Sequence, residues 1–169
     1  MDVHVREAQA ADAARLVAYV HRLSEEPGIN LALSPGEFTL TPEEEARILR
    51  EYAEAVNSIF LVAVAGDEIA GMLNCQGGER RANRHAVTLS MSVDQDWRNQ
   101  GVGSLLMERA IAWAKSTGSI VRIELAVFAR NGAAIHLYEK YGFEVEGRLR
   151  KAMFRDGEYL DNLVMALLL

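Results

Sequence analysis

The chain has 169 residues, half of them hydrophobic, and a formal charge of −6 from 24 acidic and 18 basic side chains. That length fits one domain able to bury about 70% of its unfolded surface, and the acidic balance argues against nucleic acid as a partner. A single cysteine, Cys75, excludes an intramolecular disulfide framework, while the absence of a leader-like start or a long apolar run predicts a cytoplasmic protein with no membrane partner.

Val3 to Ala8 alternates apolar and polar residues and predicts a strand. Asp12, a good N-cap, precedes Ala13, Leu16, Val17 and Val20 at helical spacing, which predicts a helix to about Ser24. The segment EEPGINLALSPGEFTL carries two of the three prolines and no sustained period, so it reads as a long loop, the kind that is often functional. Thr41-Pro42-Glu43-Glu44 combines a capping residue, a proline at the first helical position and a glutamate three after the cap. It predicts a second helix ending near Asn57.

Ile59 to Ala65 and Ile69 to Cys75 are apolar runs joined by Gly66-Asp67-Glu68, a hairpin signal. Gln76 to Arg84 is a polar connector, and His85 to Val93 alternates small hydroxylated with apolar residues, as a long central strand does. After a polar turn, Val102, Leu105, Leu106, Ala110 and Trp113 form a helical stripe that closes around Gly118, and Ile120 to Phe128 returns as a strand. Asn131 caps another helix, with Ala134, Leu137, Tyr138 and Tyr141 on one face, ended by Gly142. Phe143 to Leu169 reads as two strands folded back at Asp156-Gly157. The pattern, without repeats or linkers, predicts one α/β (α+β) domain over 1–169 with a mixed sheet.

The turn Arg98-Asn99-Gln100-Gly101-Val102-Gly103-Ser104 joins a strand to a helix start, where free backbone N–H groups and the helix dipole favour a phosphate. Gly101 and Gly103 let the backbone approach a ligand, and Arg98 can add a charge-assisted contact. A nucleotide P-loop is excluded because Gly103 is followed by Ser104-Leu105 rather than lysine and a hydroxyl residue. A dinucleotide fingerprint lacks its third small residue, since Leu106 stands there.

Joined to the later Asn131-x-x-Ala134-x-x-Leu137-Tyr138-x-x-x-Gly142-Phe143, this turn resembles the GNAT superfamily of acyl-CoA N-acyltransferases. The closing segment, with Glu146-Gly147-Arg148 and Asp156-Gly157-Glu158-Tyr159, is similar to the branch of ribosomal-protein and polyamine acetyltransferases. The resemblance implies a mostly antiparallel twisted sheet of six to seven strands with about four helices. It also implies an acetyl-CoA co-substrate, no metal, and acetyl transfer to a primary amine by direct attack. Met91, Ser92 and Val93 would lend backbone groups to the pantetheine arm and thioester, Asn99 to Ser104 would wrap the pyrophosphate, and Asn131 would hydrogen-bond the pantetheine. Tyr138 would protonate the departing thiolate.

A glutamate found in the protein-N-terminus branch of the superfamily is replaced here by Ala126, so the general base does not carry over. Glu124, two residues earlier on the same strand face, is the candidate base, and an ion-paired strand residue is the equal alternative. His85 is a second candidate; His4, His21 and His136 show no metal-ligand spacing. Glu25, Glu26 and Glu37 in the long loop, and Tyr159 and Asp161 near the end, are candidates for the acceptor side. The apolar ending Leu163 to Leu169 suits a buried strand or a homodimer contact. A non-catalytic acyl-CoA-binding protein on the same fold is the competing functional class.

Overall fold

The structure is a computed structural model that describes residues 2–169. Its strands are β1 (His4–Glu7), β2 (Ile59–Ala65), β3 (Glu68–Gly77), β4 (Ala86–Val93), β5 (Arg122–Phe128), β6 (Glu144–Arg155) and β7 (Glu158–Leu168). Its α-helices are α1 (Ala13–Ser24), α2 (Pro42–Glu54), α3 (Val102–Thr117) and α4 (Gly132–Lys140), with short 3-10 turns at Ala10–Asp12 and Gln95–Trp97. The seven strands form one sheet in the order β1-β2-β3-β4-β5-β7-β6, antiparallel throughout except where β4 meets β5.

Each face of the sheet has its own core. Leu61, Leu73, Val87, Leu89, Ile123, Leu125 and Met165 pack with Leu106, Met107 and Ala110 of α3 and with Tyr138 of α4. Phe60, Val62, Val64 and Ile69 pack on the opposite face with Leu16, Tyr19 and Leu23 of α1 and Leu49 of α2. On each face the strand alternation of two thus meets the 3.6-residue period of the helices that cover it. The predicted elements all form, with α2 ending at Glu54 and β5 beginning at Arg122, each two or three residues inside the sequence reading.

One local expectation is corrected. Asp12 does not cap α1 with its side chain; the buried carboxylate accepts from Arg6 Nη1 and Nη2 at 2.7 and 2.8 Å, from the Gln9 N–H at 2.8 Å, and from Arg15. These donors stabilise the anion and hold its pKa down at about 2. Thr41 does cap α2, in a reciprocal box with Glu44. At the far edge, β6 slips its register against β7 between Leu149 and Met153, with Lys151 at φ +50°.

Candidate functional site

The seam between β4 and β5 sets the geometry. Their parallel pairing covers only Ala86↔Arg122, Val87↔Ile123 and Thr88↔Glu124, after which the strands separate although β4 runs on to Val93 and β5 to Phe128. Ladder parity tells which peptide groups line this gap. Gly78 N–H donates to Ala86 O at 3.1 Å and Asp94 N–H to Ala70 O at 3.0 Å, so even-numbered β4 residues face β3. Met91 and Val93 therefore turn their peptide groups toward the gap. Ser92 does not: its peptide bonds to β3, and its hydroxyl lies 3.0 Å from the Tyr19 hydroxyl.

The turn after β4 is built for an anion. Asn99 (φ +59°) and Gly101 (φ +85°) adopt the left-handed conformation, which points successive N–H groups outward. The N–H groups of Asn99, Gln100, Gly101, Val102, Gly103 and Ser104 donate to no acceptor among the described residues; Leu105 is the first to bond back, to Gly101 O at 3.0 Å. A Cβ on Gly101 would meet nothing within 4 Å, so its glycine serves backbone conformation. Gly103 serves contact instead, since a Cβ there would lie 3.1 Å from Leu137 Cδ2 of α4.

Arg98 is turned away from this concavity. Its Nη1 and Nη2 donate to Glu26 Oε1 and Oε2 at 2.5 and 2.7 Å, and its Nε donates to Val93 O at 3.0 Å. The expected pyrophosphate contact is replaced by a clamp tying the long loop after α1 to the end of β4. This also occupies Glu26, which the sequence offered as a candidate for the acceptor side. Glu37, its neighbour in that reading, accepts from Ser34 N–H at 2.7 Å.

Asn131 caps α4, accepting from Ala134 N–H at 3.3 Å through Oδ1, which leaves its amide NH2 without a partner among the described residues. Tyr138 is 6% exposed, packs its ring against Phe143, and its hydroxyl bonds to none of the described residues. Burial raises that phenol to about 12, so it is a proton-bearing donor at neutral pH.

Glu124 sits at the last paired position of the seam, on the sheet face opposite Tyr138. It lines a cavity of about 290 Å³ with Gln76, Gly77, Asn83 and Thr88. Arg122 Nε donates to Glu124 at 2.8 Å and its two Nη groups grip Glu146 at 2.8 and 2.6 Å. Glu124 is thus ion-paired as well as facing the cavity. Asp161 is held by Arg148 at 2.7 Å and by Lys151 N–H at 2.8 Å, and Tyr159 and His85 are exposed. No group of three or more His, Cys, Asp or Glu poised for a metal occurs among the described residues.

Known proteins share this architecture. The crystal structure of an acetyltransferase of the GNAT family from Streptococcus pneumoniae superposes with a TM-score of 0.95, at 36% identity over 99% of each chain. A GNAT superfamily phosphinothricin acetyltransferase from Sinorhizobium meliloti, in complex with acetyl-CoA, superposes at 0.86 with 20% identity, covering 100% of this chain and 89% of that one. In sequence, the chain is 40% identical over 106 residues to the L-amino acid N-acetyltransferase AaaT of Escherichia coli K12. That match covers 63% of this chain and 65% of the relative, just under two thirds of its length. Residues 26–143, which hold the gap, the turn and both sequence motifs, match the model of the acetyltransferase (GNAT) family, and the chain belongs to that family.

Proposed function

We propose that this protein transfers the acetyl group of acetyl-CoA to a primary amine by direct attack of the amine nitrogen. The observation that carries the reading is the open seam: β4 and β5 part after Thr88 and Glu124, and the gap leads to six consecutive N–H groups at the start of α3 that bond to none of the described residues. An extended arm with peptide-like groups fits the former, and a pyrophosphate the latter. When bound, acetyl-CoA supplies an activated acetyl thioester.

The chain's residues divide the remaining work. Asn99 to Ser104 hold the diphosphate through their N–H groups, while Met91 and Val93 donate and accept along the gap as an added strand would. The Val93 N–H stabilises negative charge developing on the acetyl oxygen; its own carbonyl is fixed by Arg98. Asn131 presents its free amide NH2 to the arm. Tyr138, protonated through the neutral range, donates to the departing sulfur. On the opposite face Glu124, positioned by Arg122, takes the amine's proton through water in its cavity.

The decisive experiment is thiol release from acetyl-CoA on addition of an amine panel that includes amino acids, polyamines, aminoglycosides and peptide N-termini. Amine-dependent release is expected. Tight acetyl-CoA binding with no turnover on any amine would assign the chain to the non-catalytic binding class instead.

A further inference from the structure

One stripe at the end of α1 faces the end of β4. Tyr19, Arg22 and Glu26 follow one another at helical spacing, on a single face, and the Glu26 N–H still bonds back to Leu23 O at 3.2 Å. The Tyr19 hydroxyl lies 3.0 Å from Ser92 Oγ, Arg22 Nη2 donates to Asp94 Oδ2 at 3.1 Å, and Glu26 takes both Nη groups of Arg98. Ser92 and Asp94 are the two chain neighbours of Val93, and Arg98 Nε donates to the Val93 carbonyl. The stripe therefore grips Val93 through the residue before it, the residue after it and its own oxygen, and leaves its N–H open to the gap.

Arg98 is the telling member of this set. It directly precedes the turn of free N–H groups, where a diphosphate would attract its guanidinium. Among the described residues, the acceptors of its side chain are Glu26 and Val93 O alone. The Glu26 side chain is 16% exposed, so this two-point ion pair is sheltered from screening and holds the cation off the phosphate turn. A cradle of neutral N–H groups whose flanking arginine is committed elsewhere points to a task for that arginine at the reacting end.

The same carboxylate opens the loop after α1. Farther along that loop, Arg130 Nε donates to Asn30 Oδ1 at 2.9 Å, and Arg155 Nη1 donates to Leu31 O at 2.9 Å and to Leu33 O. Arg130 follows β5 and Arg155 closes β6, so the loop is tied at the end of β4 by Glu26 and beyond the end of β5 by residues 30–33. It spans the mouth of the gap on the face that carries α1, which is also the face of Glu124.

Resting on the acetyl-transfer reading, we propose that Glu26 is a positioning residue for that reaction: it withholds Arg98 from the diphosphate and, through Arg98, fixes the Val93 peptide so that its N–H meets the acetyl oxygen. Because Glu26 begins the loop across the acceptor side, alignment of the thioester depends on that loop being seated. Lifting the loop loosens the Val93 carbonyl and frees Arg98 to move to the phosphates. Glu26 thus weakens the hold on the cofactor's phosphates and strengthens polarisation of its thioester, which favours the transition state over the bound ground state.

The test reads bound acetyl-CoA on the full chain. Infrared difference spectra with the thioester carbonyl isotope-labelled report the hydrogen bond to its oxygen whether or not an amine turns over, and calorimetry at low and high salt gives the affinity. In Glu26→Gln the carbonyl band is expected to move back toward that of free acetyl-CoA and kcat to fall about tenfold, while acetyl-CoA affinity holds or rises and becomes more sensitive to salt. Arg98→Gln is expected to lose the band shift and the rate in the same way, with affinity kept, because its side chain does not serve the phosphates. Glu26→Asp, which keeps the charge on a shorter arm, is expected to recover part of the shift and guards against misfolding as the cause. An unchanged carbonyl band in both glutamine variants, or acetyl-CoA affinity lost about tenfold in Arg98→Gln, overturns the proposal. The expected band shifts without thiol release on any amine would uphold the role of Glu26 in holding the thioester while overturning acetyl transfer.

Discussion

The starts of α2 and α3 face the same physical problem and solve it in opposite ways. Each helix begins with backbone N–H groups that have no partner one turn back. At α2, Thr41 and Glu44 close the end reciprocally at 3.2 and 2.9 Å, and Pro42 removes one donor altogether. At α3, the N-cap is Gly101 in a left-handed conformation, and among the described residues no side chain caps it and six N–H groups in a row stay unbonded. A closed start stabilises the fold; an open one leaves its donors free for a ligand. The same contrast separates Asp12, enclosed by three donor residues, from Tyr138, whose hydroxyl bonds to none of the described residues.

The sharpest test of the contrast is Tyr138→Phe, which removes an unbonded hydroxyl from a packed ring. We expect kcat to fall about a hundredfold to a thousandfold with acetyl-CoA affinity and melting temperature nearly unchanged. Since burial raises this phenol to about 12, the wild-type rate should show no descending limb from its ionisation below about pH 11. A stability loss without a rate loss would make Tyr138 a closed, structural group after all. Next in size is Gly101→Asp, which sets a carboxylate against the open N–H run. Calorimetry should find acetyl-CoA binding weakened roughly a hundredfold, with only about 1–2 kcal/mol of backbone strain in the fold.

On the closed side the order reverses. Asp12→Asn should cost about 2 kcal/mol in denaturant unfolding, toward the low end for a buried pair because its arginine partners are about one-third exposed. Asp12 has a folded pKa of about 2, below its ordinary value of 3.8, so its contribution is complete above about pH 4 and disappears as pH falls toward 2. The variant should flatten that part of the acid-stability curve. The smallest effect is Thr41→Ala, about 1 kcal/mol of stability and no change in KM for acetyl-CoA.

What was legible in the sequence follows the same division. The Thr41 box, the turn from Arg98 to Ser104 and the α4 motif are local: spacing alone specifies backbone conformation and capping, and each appears where the residues put it. Side-chain partners from distant segments were not legible. Arg98 reads as a phosphate ligand in a seven-residue window, and only the fold brings Glu26 within 2.5 Å of it. Asp12 has the look of a cap until Arg6 and Arg15 are seen around it. Ser92 sits in the expected strand, but which peptide groups face the gap depends on register with β3, which one strand cannot reveal. Arg155 carried no signal at all, because its meaning depends on a loop more than a hundred residues earlier.

The slipped register of β6 has a consequence for the protein at high concentration. β6 is the long free edge of the sheet, twelve residues with Val145, Leu149 and Phe154 half or more exposed, which would invite strands of other molecules to add on. The slip between Leu149 and Met153, with Lys151 at φ +50°, breaks the even ladder of donors and acceptors midway and places Arg150 and Lys151 at the break. An incoming strand finds matching backbone over only a few residues before it meets a kink bearing two like charges. The interruption acts as a guard against aggregation, built into the one strand long enough to need it.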